Sequence, residues 1–315
     1  MPLHGTQAEP VSTPDDPSSW GPRPVPWGGL AARVRAGTGA RRLVPTGAAL
    51  AATELAYRTM LRLSHSRMAE ARSTMAAVVG GTPAAHDIDR LARAHLAAQA
   101  RGWELTWRPW EIERIPILGV EVLRGAMASG RGVVISHAHL GPLAGWAALG
   151  RETRPLHHPV GDWAVHDPHP GYRGYQVEQR RRLFQRAGIQ LLPARGSALP
   201  LFRLLRSGGA VLLSMDAPGG RRTRWLGKPV DLDDGTAHLA VGTRALVLPA
   251  ALMPVGRRWR IEIHEPLDAA DFDRPDDLHL ALADVHEGLV MRAPEHLEDP
   301  RRLWTTATAE GWYRR

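Results

Sequence analysis

The sequence predicts an α/β fold: a mostly parallel central sheet flanked by helices, with an N-terminal helical membrane-contacting segment. Two observations predict it. Short apolar runs, several of them continuous, recur through the second part of the chain, as strands buried on both faces require. Stretches of helical periodicity lie between them, the alternation that builds parallel sheets. The chain also has the material for a sizeable core, with 315 residues of which 43% are hydrophobic. It has no cysteine, so disulfides and thiolate metal sites are excluded and nothing points to an oxidising compartment.

Taken in order, residues 1–29 are rich in Pro, Gly, Ser and Asp and are expected to form a disordered leader. They lack the cationic cluster and apolar stretch of a secretory signal. Residues 30–110 form an N-terminal helical segment, with helices expected over Pro45–Val79 and Ala84–Gly102. In the second of these, Asp87 and Asp89 occupy the first turn and Gly102 follows the end. The most apolar stretch, Leu43–Leu63, contains Pro45, Glu54, Arg58 and Arg62. It reads as an amphipathic helix lying on a membrane, because no apolar run reaches the roughly eighteen residues of a span.

Residues 111–315 carry the α/β core. Strands are expected at Gly132–Ser136, Ala210–Met215 and Ala245–Leu252, all continuously apolar. A fourth, Trp259–Leu267, alternates and belongs nearer the sheet edge. Helical patterns fill the intervals in "GVEVLRGAMASG", "VEQRRRLFQRAG", "SALPLFRLLRSGG" and "GTAHLAVGTR".

The net charge is +8, from 40 Lys+Arg against 32 Asp+Glu, and arginine supplies nearly all of the positive charge. Such a balance suits nucleic acid, an anionic membrane surface or a phosphorylated substrate. The charges are scattered and no nucleic-acid module is recognisable, so no nucleic-acid partner is expected.

In open α/β sheets ligands bind at the carboxyl ends of the strands. His137 and His139 directly follow the first buried strand, and Asp216 directly follows the second. A histidine there is suited to deprotonate an acceptor hydroxyl, whose oxygen then attacks an acyl carbonyl. Backbone N–H groups in the Gly141 turn or at a helix N-terminus are candidates to stabilise the oxyanion. Such a base needs a carboxylate to fix its tautomer. A second cluster, "HHPVGDWAVHDPH", holds His157, His158, Asp162, His166, Asp167 and His169, but its spacing matches no zinc motif, and no metal is expected.

The segment "GRGVVISHAHLGPLAGW" resembles the catalytic stretch of the bacterial lysophospholipid-type acyltransferases, the family of the lipid A lauroyl/myristoyl and phosphatidylinositol mannoside acyltransferases. Their motif, commonly H-[FLM]-G-N-W-[ED], aligns with His139, Leu140, Gly141, Pro142, Leu143 and Ala144. The segments "RLFQRAGIQLLP", "LLRSGGAVLLSMDAPGGRR", "WLGKPVDLDDGTAHLAVGTRALVLPA" and "APEHLEDPRRLW" are similar to later family blocks, in the same order. The resemblance spans about Arg67 to Trp304.

It implies an acyltransferase with His139 as general base, acting at the cytoplasmic face of the cell membrane as a peripheral protein. The implied donor is acyl-CoA or acyl carrier protein and the implied acceptor a hydroxyl or amine of a glycolipid, with no tightly bound cofactor. Ala144 replaces the motif acid, which leaves Asp162, Asp167, Glu178 and Asp216 as candidate partners and His137 as a candidate to share or replace the base. Substrate contacts are implied for Arg182 (with Arg180, Arg181 and Arg186 close by), Asp216, His157 and His158. Two alternatives stay open: an acceptor that is a specialised metabolite or peptide, and a non-catalytic acyl-binding protein.

Overall fold

The computed structural model describes residues 40–153, 155–161, 171–298 and 300. The expected leader, and Asp162, His166, Asp167, His169 and Trp304, lie outside the described residues. The helical segment begins with α1 (Thr46–Leu63) and α2 (His65–Val79). One continuous helix was expected here. The break falls at Ser64, which is extended at φ −127° and ψ 94°, a conformation that serine takes readily because its hydroxyl competes for nearby backbone groups. Only one face of α1, bearing Leu50, Glu54 and Leu61, is turned inward. The Glu54 carboxylate meets Arg101 at 3.1 Å and Arg257 at 3.2 Å, and these cations hold its pKa below the usual carboxylate range despite burial.

After a 3₁₀ turn capped by Thr82, α3 runs Ile88–Thr106. It continues past the expected stop at Gly102. That glycine is tolerated in the helix because Pro142 crosses close by: a Cβ at residue 102 would sit 3.1 Å from Pro142 Cβ.

The core elements follow as β1 (Ile117–Leu118), α4 (Val120–Ala128), β2 (Val133–His137), a 3₁₀ helix at Leu143–Arg151, and β3 (Leu156–Val160). Then come α5 (Gly171–Arg186), β4 (Ile189–Pro193), α6 (Ala198–Arg206) and β5 (Ala210–Ser214). The hairpin of β6 (Pro218–Trp225) and β7 (Lys228–Leu232) precedes α7 (Gly235–Thr243). The described chain closes through β8 (Leu246–Val255), β9 (Arg258–Ile263), β10 (Leu267–Asp268), α8 (Pro275–Met291) and a 3₁₀ turn at Pro294–His296.

The sheet order is β1-β9-β8-β2-β5-β3-β4, with β10 paired to β8. The pairs β1–β9, β8–β2, β2–β5, β5–β3 and β3–β4 are parallel, whereas β8–β9 and β8–β10 are antiparallel. The fold is therefore α/β with a largely parallel sheet, as the apolar runs predict. The alternation of side chains explains why those runs are continuous. Val133, Ile135, Leu212 and Leu248 face one core, and Val134, Val211, Leu213 and Val247 face the other. Leu50 and Leu105 pack into the first of these cores, so the N-terminal helices share it with the sheet. The expected fourth strand is divided: β9 stops at Ile263, and Leu267–Asp268 pairs separately with β8. No described helix is long and apolar enough to cross a membrane.

Candidate active site

Two parallel neighbours, β2 and β5, build the centre of the site. Their register sets His137 opposite Ser214 at the strand ends. The pairing continues one step further, Met215 donating its N–H to His137 O at 2.8 Å. Two residues past each strand end, His139 and Asp216 therefore stand side by side. The His139 ring Nδ1 lies 2.6 Å from Asp216 Oδ1, and the His139 backbone N–H donates to Oδ2 of the same carboxylate at 2.9 Å. Asp216 is fully buried, while the His139 side chain keeps 16% exposure. With the proton held on Nδ1, Nε2 carries the lone pair. This is the arrangement a general base requires, a buried carboxylate fixing the tautomer and a partly open ring.

Asp216 was expected among the substrate contacts as well as among the partners of the base. Its position beneath the imidazole makes it the hydrogen-bond partner of His139. Ala144 is itself buried at the start of the Leu143–Arg151 helix. Of the other candidate partners, Glu178 lies on α5 and is engaged with Arg181 and Arg182.

His137 does not fit as the base. It is 1% exposed, its Nδ1 donates to Ala138 O at 2.9 Å, and its ring packs 4.7 Å from the Trp146 ring centroid. Burial, with His139 and His158 nearby, pushes its pKa well below the usual histidine range. His157 and His158 are adjacent on β3, so they face opposite sides of the sheet. His158 turns toward the His137 ring (6.0 Å) and Phe184 (5.6 Å), and its Nδ1 donates to Leu212 O. The structure thus brings His158 to the site and separates His157 from it. Arg182 is also displaced from its expected place. It is exposed and bonded to Glu178 Oε1 at 2.6 Å on the outer face of α5. Two residues earlier the helix has turned by roughly 200°, and Arg180 faces inward.

The turn that follows His139, Gly141–Ala144, lines a shallow open cleft together with Gly102, Trp103, Arg180 and Glu298. The C-terminal segment clamps the His139 loop against it. Glu298 N–H donates to His139 O at 2.7 Å, and Gly141 N–H donates to His296 O at 2.9 Å. The Gly141 N–H, expected as an oxyanion donor, is therefore spent on this clamp. The N–H groups of Leu143 and Ala144 precede the first intrahelical bond, from Gly145 N–H to Pro142 O at 2.7 Å, and both residues line the cleft.

Gly141 has φ +78°, and a Cβ there would sit 2.6 Å from Leu252 O. Gly141→Ala is expected to cost about 1–3 kcal/mol of stability and to lower turnover by loosening the loop. Urea unfolding compared with wild type checks this, and an unchanged midpoint contradicts it.

Several histidines are buried in neutral form. Burial depresses His158 and His286 to about 4 and His296 to about 3. His286 is held through a hydrogen bond of 3.0 Å between its Nε2 and Ser136 Oγ. In the unfolded chain each titrates near 6.5. As the pH falls from there toward 4, the unfolded state binds protons that the folded state refuses, so stability drops by about 1.4 kcal/mol per pH unit per histidine. The melting temperature should therefore fall steeply below pH 6. A flat profile by circular dichroism from pH 7.5 to 5 would contradict neutral burial.

No family model matches the chain. It is 28% identical over 221 residues to a phosphatidylinositol mannoside acyltransferase of Mycolicibacterium smegmatis, covering 64% of this chain and 68% of that one. It is also 28% identical over 226 residues to the phosphatidylinositol mannoside acyltransferase of Mycobacterium tuberculosis, covering 66% and 68%. Among solved structures, the 1-acyl-sn-glycerophosphate acyltransferase PlsC of Thermotoga maritima aligns over 79% of this chain and 97% of its own, with a TM-score of 0.37 and 16% identity. In sequence, then, the chain is similar to these two acyltransferases.

Proposed function

We propose that the protein transfers an acyl chain from a thioester donor, acyl-CoA or acyl carrier protein, to a hydroxyl of a glycolipid-type acceptor, with His139 as general base. The observation that carries this reading is the 2.6 Å contact between His139 Nδ1 and buried Asp216, on a loop whose next residues, Gly141–Ala144, line an open cleft. In the step, Nε2 takes the hydroxyl proton as the oxygen attacks the thioester carbonyl. The tetrahedral intermediate collapses with cleavage of the carbon–sulfur bond, and the imidazolium returns its proton to the departing thiolate. The N–H groups of Leu143 and Ala144 are the donors offered to the oxyanion. The carboxylate at Asp216 argues against a merely acyl-binding protein, since the function lost at Ala144 is supplied from the neighbouring strand.

Attachment to the anionic inner face of the membrane belongs to the same reading. Leu43, Leu55 and Leu63 are 85%, 66% and 81% exposed, with Arg42, Arg58 and Arg62 exposed near them. Apolar insertion and attraction to anionic lipid act together on such a surface.

The test is to incubate the protein with palmitoyl-CoA and a mannosylated phosphatidylinositol in anionic vesicles, following thiol release and product mass. Equal release of thiol and acylated lipid supports the reading. Absence of thioester turnover with either palmitoyl-CoA or palmitoyl carrier protein overturns it.

A further inference from the structure

The backbone of the proposed base is gripped from two sides. On one, the His139 N–H donates to Asp216 Oδ2 at 2.9 Å. On the other, the His139 carbonyl accepts from the Glu298 N–H at 2.7 Å, and the Gly141 N–H donates to His296 O at 2.9 Å. These last two bonds flank Leu140 and Leu297, which face each other as one antiparallel pair and are both buried. The segment that leaves the 3₁₀ turn Pro294–His296 is therefore a strap laid along the loop that carries the imidazole.

The strap has a second side, and its carbonyls there need partners too. His296 O serves the loop, whereas the carbonyls before and after it turn to α3. His95 Nδ1 donates to Glu295 O at 2.9 Å, and Gln99 Nε2 donates to Leu297 O at 3.4 Å. His95 and Gln99 are four residues apart, one turn along one face of α3. His95 is buried, so a carbonyl it abandoned would lose its donor with little water to replace it. The proposed step uses neither side chain.

We propose that His95, with Gln99 as its weaker companion, is a positioning residue for the base. From the N-terminal helical segment it fixes a strap 200 residues away in the chain, and through the strap it fixes the His139 backbone. The inference rests on the acyltransfer reading above and adds a residue that acts on the chemistry without contacting substrate. Its effect is geometric: a misplacement of about 1 Å at a reacting group costs about 10²-fold in rate.

The experiment compares His95→Leu, which removes the donor, with His95→Asn, whose Nδ2 reaches the place of the histidine Nδ1. With palmitoyl-CoA and a mannosylated phosphatidylinositol in anionic vesicles, kcat of His95→Leu should fall about 10–100-fold while KM for palmitoyl-CoA changes little. His95→Asn should recover most of that loss. An unchanged kcat in His95→Leu, or an equal fall in both variants, overturns the role, because packing alone would then explain the residue. If circular dichroism shows that His95→Leu does not fold, Gln99→Leu takes its place, with kcat expected to fall about 3–10-fold and an unchanged kcat overturning the role. If wild type turns over no thioester, the acyltransfer reading fails separately. Positioning is then read from NMR of isotope-labelled histidine, with the His139 ring identified by its absence in His139→Ala. The His139 Nδ1 signal, set by the 2.6 Å bond to Asp216, should move or broaden in His95→Leu and return in His95→Asn. A signal that stays in place in His95→Leu overturns the proposal.

Discussion

Replacing His139 with alanine should abolish acyl transfer and leave the fold standing. The ring is the partly exposed member of its pair, with 16% of its side chain open, so its removal does not empty the core. Asp216 keeps a hydrogen bond to the backbone N–H of residue 139, which limits the penalty of leaving a buried carboxylate short of one partner. The expected loss of stability is about 1–3 kcal/mol, visible as a modest fall in melting temperature with an unchanged circular dichroism spectrum. The loss of turnover is much larger. Without Nε2 nothing at this position accepts the hydroxyl proton, and general base catalysis contributes about 10²–10⁴ in rate. His137 cannot substitute, because it is buried, tied to Ala138 O and held neutral well below its normal titration range. Thiol release from palmitoyl-CoA in the presence of acceptor measures the effect. Transfer within tenfold of wild type would remove His139 from the mechanism.

What the sequence could and could not reveal follows from how each element is buried. The strands at the centre of the sheet were readable because both of their faces are covered, which makes their first several positions continuously apolar. Strand β3 reads Leu-His-His-Pro-Val and carried no such signal, although it lies inside the sheet. The β6–β7 hairpin was hidden by its outward arginines: Thr223, Trp225, Val230 and Leu232 turn inward between exposed charges. Helix α8 was missed for a related reason, since His279 and His286 occupy buried positions among Leu278, Leu282 and Leu289.

The site divides in the same way. Placing His139 and Asp216 after buried strands needed only local pattern. Pairing them needed the knowledge that β2 and β5 are adjacent and in register, a contact across 77 residues of chain. Seeing that Arg180 lines the cleft and Arg182 does not needed the rotational setting of one helix, which a run of arginines conceals because every face is charged.

Asp216→Asn should reduce turnover by roughly 10³–10⁴-fold while folding is retained, as for an amide replacing the aspartate of a Ser-His-Asp triad. The reason lies in the tautomer. The carboxylate accepts from Nδ1–H at 2.6 Å and so leaves Nε2 unprotonated toward the substrate. An asparagine oriented to keep its oxygen on the backbone N–H of residue 139 presents its amide N–H₂ to Nδ1. Nδ1 must then be the acceptor, the ring proton moves to Nε2, and the base is blocked where it is needed. The amide also withdraws the negative charge that steadies the imidazolium formed during attack. Both effects act on the chemical step, so kcat should fall while KM for palmitoyl-CoA moves little. If the Asn variant kept turnover within about tenfold of wild type, the carboxylate beneath His139 would be a structural group, and the missing acid at Ala144 would have to be replaced from elsewhere.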